Sequence, residues 1–278
     1  MGPPPRIRTG EGKAAYERAF STLGCPELDL AGVLALARSH GIGAVELRAL
    51  GGSLDLPAYL SGRGDSPAEL ARAAAEAGVR IAAFGTSLRL IGGTDEDRGK
   101  FLDYVPWAEA MGVPMLRVFD GKPPADGAEV ERAAEAAAWW RALRAERGWR
   151  TDIMVETHDS LLTAGAIRSF AQAAPGTAIL WDSHHTWRRG GEDPALTWRT
   201  IAPHVAHIHV KDSVGGPVPG APPRYVLPGT GEFPMANLRA ALAGGFTGPF
   251  SLEWEKQWHP ELPPLGDALS AAAETGWW

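Results

Sequence analysis

Short runs rich in β-branched and aromatic residues alternate along the chain with longer Ala/Leu/Glu/Arg-rich stretches of helical length. The short runs fall at about 17–22, 43–49, 80–87, 115–121, 151–158, 177–184, 205–212 and 249–255. The longer ones fall near 28–40, 66–78, 97–112, 126–147, 160–174, 194–202, 235–244 and 262–276. Several boundaries carry their own chemistry. Ser66-Pro67-Ala68-Glu69 supplies an N-cap serine, a proline at the first helical position and a glutamate placed to reciprocate. Gly78 and Gly112 each follow a helical run and precede a strand, as C-terminal caps do. The alanine-rich stretch 126–147 carries Glu129, Glu131, Arg132 and Glu135 at helical spacing, the mark of a solvated outer face.

Eight strand–helix units without a Gly/Ser linker predict one α/β domain over 1–278, with parallel strands that close as a barrel or open as a doubly wound sheet. The 278 residues suit one barrel. No Gly-rich phosphate loop follows the first strand, which argues against dinucleotide binding. The longest irregular stretch, 213–234, contains Pro217, Pro219, Pro222, Pro223 and Pro228; so long a loop after a late strand suggests function. A net charge of −6 argues against nucleic acid or an anionic membrane as partner. Cys25 is the sole cysteine, so no intrachain disulfide forms, and a reducing, cytoplasmic setting is expected. Met1 to Arg8 lacks an apolar signal core, Arg6 stands where myristoylation needs Ser or Thr, and no apolar run is long enough to span a bilayer.

The candidate chemistry lies on the last four strands. Alternation puts Met154, Glu156 and His158 on one face of the fifth, and Leu180, Asp182 and His184 on one face of the sixth. It groups His207, His209 and Lys211 on the seventh, and Ser251, Glu253 and Glu255 on the eighth, with Phe250, Leu252 and Trp254 facing the other way. In a closed barrel the ionisable face points inward. Glu156, Asp182 and His209 are one strand–helix unit apart; Glu253 follows after one unit plus the long loop. All four fall toward the C-terminal ends of their strands, where barrel enzymes place their chemistry. Three carboxylates and an imidazole converging in one cavity repel and desolvate one another unless neutralised, and a divalent cation resolves this. Oxygen-rich ligands with one nitrogen suit Mn²⁺, Mg²⁺ or Co²⁺, with Zn²⁺ also within range.

Val155-Glu-Thr-His158, Trp181-Asp-Ser-His-His185, His207-Ile-His-Val-Lys-Asp212 and Ser251-Leu-Glu-Trp-Glu255 resemble the xylose isomerase-like TIM-barrel superfamily, which includes ketose 3-epimerases, hydroxypyruvate isomerases, inosose dehydratases and endonuclease IV. The first half matches mainly in rhythm, with Gly43-Ala-Val-Glu-Leu-Arg48 similar to the family's second strand. The resemblance implies a (β/α)8 TIM barrel and metal ligation by Glu156, Asp182, His209 and Glu253. It selects His209 over His207, and Glu253 over Glu255. It also implies that His185 contacts substrate. Endonuclease IV takes further histidines from the second and third strands and from the loop after the seventh; none is present here, so a three-metal nuclease site is not expected. The implied function is a metal-dependent sugar isomerase or epimerase, with Glu156 and Glu253 moving a proton beside a carbonyl through a metal-stabilised enediolate. The alternatives are an inosose-type dehydratase on the same site and, behind it, a nuclease or a non-catalytic sugar-binding protein.

Around this centre His158 and His185 are candidates for substrate hydroxyls or for support of a ligand. Lys211 is placed to neutralise an oxyanion, or else to pair with Asp212 or a nearby carboxylate. Arg188 and Arg189 are candidates for a phosphate or carboxylate, against the plainer reading of solvated loop charges. Glu46 and Arg48 share a face of the second strand and are expected to pair internally or to meet substrate; Arg117 is a similar case on the fourth. Trp258 and most other tryptophans are expected to pack, and Cys25 to be a small buried residue. Trp277 and Trp278 suggest docking onto the barrel or onto a partner subunit, and with it a homodimer.

Overall fold

The computed structural model describes residues 16–123, 127–216 and 222–278; Met1 to Arg8, Pro217 and Pro219 lie outside them. The strands are β1 Glu17–Ser21, β2 Ala44–Leu47, β3 Arg80–Ile91, β4 Met115–Gly121, β5 Asp152–Glu156, β6 Ala178–Asp182, β7 Val205–Val210 and β10 Pro249–Leu252. They are all parallel and close in the order β1-β10-β7-β6-β5-β4-β3-β2. A small antiparallel pair, β8 Ser213–Val214 and β9 Arg224–Tyr225, ties together the loop after β7. The helices are α1 Leu30–Ser39, α2 Leu56–Arg63, α3 Pro67–Ala77, α4 Asp95–Leu102, α5 Tyr104–Met111, α6 Glu129–Arg147, α7 Ala164–Ala173, α8 Ser183–Arg188, α9 Pro194–Ile201, α10 Met235–Leu242 and α11 Leu265–Glu274. No described helix is long and apolar enough to cross a membrane.

Alternation along each strand divides the core in two. Inside the barrel Ala19, Ala44 and Ala82 pack together, and Ala83, Met154 and Leu180 form a second cluster. The outward residues, among them Phe20, Val45, Val155, Trp181, Ile208, Phe250 and Trp254, join the main core against the helices. Buried indoles keep their N–H groups satisfied: Trp140 donates to Asp152 at 2.8 Å, Trp181 to Thr186 at 3.0 Å and Trp254 to the Pro263 carbonyl at 2.9 Å. Trp277 and Trp278 are also buried, with Trp277 beside Phe233, so the C-terminus docks on its own barrel and a dimer would need another surface. Cys25 is buried and its thiol is pushed up to about 12 by burial, with Glu27 adding to the effect. Trp258 departs from the packing expectation: it is 54 % exposed.

Local chemistry explains where elements differ from the expected ones. Residues 97–112 do not form one helix. Thr94 and Asp97 form the capping box that starts α4, and Pro106, which has no N–H to give Leu102, forces a new start at α5. Ser66 stands at the N-cap of α3 but makes no side-chain cap bond there. Gly78 and Gly112 do end their helices in the left-handed conformation. Helix α2 was not expected, although Asp55 caps it, Pro57 lies in its first turn and Gly64 ends it. The sixth strand stops at Asp182, because that side chain accepts the His185 N–H at 2.8 Å and starts α8. The alternation predicted through His184 therefore ends two residues early. His184 leaves the inner face, and its Nε2 meets Ser213 Oγ at 2.7 Å.

Phe250 has no exposed surface, and its ring lies 4.5 Å from Tyr16. Phe250→Ala is expected to destabilise the fold by about 3–5 kcal/mol, read from urea unfolding. A loss under about 1 kcal/mol would mean that the barrel–helix layer tolerates a cavity there.

Candidate metal centre

The barrel register assembles the four acids and bases. Glu156 ends β5, Asp182 ends β6, His209 is the penultimate residue of β7, and Glu253 follows β10 directly. Asp182 is the direct cross-strand partner of His209, which in turn pairs with Ser251 two residues before Glu253. All four are buried, and one ligand atom from each lies within 4.8 Å of the others. His209 Nδ1 is 3.4 Å from Glu156 Oε1 and 3.3 Å from Glu253 Oε1. On the opposite edge of the ring, Nε2 is 2.6 Å from Glu46 Oε2.

Each carboxylate is steered by a cation. Glu156 Oε2 faces Arg117 Nε at 3.2 Å, and Arg117 Nη1 donates to the Thr86 carbonyl at 2.8 Å. Lys211 Nζ lies 2.8 Å from Asp182, 2.7 Å from Glu255, and in direct contact with Glu253. Burial opposes ionisation of Glu253, yet His209 and Lys211 beside it hold its carboxyl well below the usual carboxylate range. Burial lifts Asp182 to about 6 against the pull of Lys211. Burial also disfavours charge on His209 and Lys211, but the surrounding carboxylates raise both well above their ordinary values.

This donor set fits a divalent cation. His209 Nδ1, Glu156 Oε2 and Asp182 Oδ2 are buried and make no hydrogen bond, although charged neighbours stand near them. Three carboxylates and one imidazole nitrogen suit an oxygen-preferring divalent ion. The Glu46–His209 contact fixes the ring so that Nδ1 faces the acids, as a carboxylate behind a ligating histidine does. Glu255 pairs with Lys211 at 2.7 Å and is not among the four grouped residues.

The other expected site residues divide. His185 lies at the centre's edge, with Nδ1 3.1 Å from the Thr157 carbonyl and 3.2 Å from Asp182. Burial, with Lys211 next, holds it well below the usual imidazole value and therefore neutral. His158 stands edge-to-face with His185 and with Phe119, at 4.9 Å from each, and is half-buried. Lys211 pairs with three carboxylates, and Asp212 does not join them. Glu46 does not pair with Arg48: it lies behind His209, where the imidazole is its partner. Arg188 also stays out of the centre. Its guanidinium is engaged by Glu232 at 2.7 Å and stacks over Trp187, because the segment between β9 and α10 offers it an acid.

Two acids shape the rim, Asp120, which the sequence did not single out, and Asp212, which was expected only as a partner for Lys211. Asp120 accepts four backbone N–H groups, from His158, Asp159, Ser160 and Leu161, and so holds the loop after β5. Those bonds occupy both its oxygens, which argues against a second ion among Asp120, His158 and Asp159. Asp212 does the same for the long loop, accepting from Ser213, Gly229, Gly231 and Phe233. Gly231 is needed there: a Cβ would lie 2.1 Å from Asp212 Oδ1. The only sequence signal was an Asp at each strand's C-terminal end. A groove of about 600 Å³ lined by Trp198, Phe246 and the starts of β7 and β10 lies at the opposite end of the barrel, away from every ionisable group above.

A family model described as xylose isomerase-like TIM barrel matches residues 34–275. No curated protein matches the chain in sequence. Among solved structures, the probable 3-DHS dehydratase AsbF of Bacillus anthracis superposes with a TM-score of 0.72 at 15 % identity, covering 92 % of this chain and 98 % of that one. The IolI protein with a bound zinc atom gives 0.72 at 17 % identity, covering 94 % and 96 %. A D-tagatose 3-epimerase-like protein gives 0.64 at 15 % identity, covering 94 % and 99 %. At such identities these likenesses show the fold alone.

Glu46→Gln is expected to keep the fold but weaken Mn²⁺ binding by about 10- to 100-fold in a chelator competition, because His209 loses its anchor. Unchanged affinity would show that Glu46 does not orient the ring.

Proposed function

This chain belongs to the xylose isomerase-like TIM-barrel family, and on that premise we propose that it is a divalent-metal-dependent isomerase or epimerase of a small polyhydroxy carbonyl compound. The observation that carries this is the set of one ligand atom each from Glu156, Asp182, His209 and Glu253 within 4.8 Å, at the end of the barrel where such folds work. A divalent ion held there, manganese being the first expectation, supplies Lewis acidity toward a carbonyl and its neighbouring hydroxyl.

The chain's own residues do the rest. Glu156 and Glu253 approach His209 Nδ1 at 3.4 and 3.3 Å, so two carboxylates are available on either side of one small volume. One takes the proton from the carbon beside the carbonyl; the other returns it, on the opposite face for epimerisation or at the neighbouring carbon for isomerisation. Arg117 and Lys211 keep these carboxylates ionised and oriented, so each is ready to accept a proton at neutral pH. His185, with its Nδ1 proton committed to the Thr157 carbonyl, leaves Nε2 as an acceptor for a substrate hydroxyl. His158 supplies a second polar contact from the rim.

A dehydratase on the same centre is the second reading. Elimination needs an acid beside the leaving hydroxyl. Lys211 is enclosed by three carboxylates, so the half-buried His158 is the group placed for that role. A neighbour in fold is a probable dehydratase.

Incubation of the Mn²⁺-loaded enzyme in deuterated water with a panel of ketoses and inososes tests both readings. Deuterium entering recovered sugar supports the isomerase or epimerase, and loss of water supports the dehydratase. Glu156→Gln is expected to slow exchange by about 10²- to 10⁴-fold. Exchange at the wild-type rate would remove Glu156 from the role of base.

A further inference from the structure

Arg48 is a buried guanidinium with no acid in direct contact. It is 4 % exposed, and among the described residues no carboxylate oxygen lies within 4.0 Å of it. Its side chain makes two hydrogen bonds, from Nη1 to the Leu54 carbonyl at 3.4 Å and from Nη2 to Ser87 Oγ at 3.1 Å. A guanidinium carries five N–H donors, and a buried cation with neutral partners only is unfavourable. Burial, and then the charge of Arg117, pull Arg48 down to about 10 against the smaller opposing effects of Tyr104, Glu156 and Glu46.

The position of Arg48 gives that charge a use. It follows β2 directly, and it lies beside Arg117 of β4 across Gly85 of β3. A Cβ on Gly85 would stand 2.7 Å from Arg48 Cδ and 3.1 Å from Arg117 Nη2, so only glycine lets the two arginines approach. Arg117 reaches inward to Glu156 at 3.2 Å, while Arg48 reaches outward to Ser87, which is exposed. Positive charge thus runs from the candidate metal centre to the rim, and the acids that Arg48 senses, Glu156 and Glu46, are already in contact with Arg117 and His209.

We propose that Arg48, with Arg117 beside it, binds an acid group of the substrate, so that this enzyme acts on a polyhydroxy carbonyl acid rather than a neutral sugar. The acid group is a carboxylate or a phosphate; both match a guanidinium fork. The carbonyl chemistry rests on the reading above, whereas the anion site does not. Arg188, the anion binder expected from the sequence, is already neutralised by Glu232 on the other side of the barrel.

The test is calorimetric binding of three probes, gluconate, sorbitol 6-phosphate and sorbitol, to wild type, Arg48→Gln and Arg48→Lys, with Mn²⁺ and after chelator treatment. The expected result is that one charged probe binds at least about tenfold tighter than sorbitol, as a charge-assisted hydrogen bond supplies. The tighter of the two identifies carboxylate or phosphate. Arg48→Gln removes that preference and leaves the weak affinity for sorbitol unchanged; Arg48→Lys, which keeps the charge but not the fork, retains part of it. Circular dichroism melting checks the fold of both variants, and Arg48→Lys decides the question if Arg48→Gln does not fold. Equal affinity for charged and neutral probes, no binding of either anion, or a preference that survives both substitutions overturns the proposal. Metal analysis of the same samples separates the two ideas. A wild type that retains no Mn²⁺ sinks the metal centre, while the chelator-treated titrations still decide for or against Arg48.

Discussion

Ionised carboxyl groups in the interior of a barrel repel one another and lose their hydration, and each such burial costs several kcal/mol unless it is matched. Glu46, Glu156, Asp182 and Glu253 meet that constraint with His209, Arg117 and Lys211, each placed between two or more acids or against one. Much of the local architecture follows from this balance. Asp182 ends its strand and caps a helix in the same step, Glu46 holds the ring of His209 from behind, and Lys211 bridges Asp182 to Glu253. The acids are thus compensated by cations of the chain itself.

The same balance sets the terms on which an ion binds. A ligating imidazole has to be neutral at the binding nitrogen, so on the proposed reading an ion would have to displace the proton that the surrounding carboxylates favour on His209. Lys211 stays to anchor the outer oxygens. On that reading an ion would substitute for one charge within a ring of groups that is already assembled. Arg117 and Lys211 are as deeply buried as the four proposed ligands.

Much of this was legible in the sequence because strand alternation has a strict period of two. That period put Glu156, Asp182, His209 and Glu253 on one face, and the regular spacing of units put them at one end of the barrel. It failed where an acid redirected the chain: Asp182 capping α8 took His184 off the face, and Asp120 and Asp212 drew loops inward through backbone bonds that no side-chain pattern encodes. Partner choice among cations was also hidden. Arg188 and Lys211 look alike in the sequence as free charges near strand ends, yet Glu232 takes one and the acidic cluster takes the other. Contacts of that kind depend on which loops come together, and Glu46 meets His209 across a separation of 163 residues.

The account is tested most directly by anomalous diffraction from a crystal soaked in Mn²⁺. It predicts a single strong peak coordinated at about 2.0–2.3 Å by oxygens of Glu156, Asp182 and Glu253 and by His209 Nδ1, with Glu46 still bonded to Nε2. A pocket without a peak, a peak ligated through Nε2, or an ion seated instead beside Asp120 and His158 would contradict it.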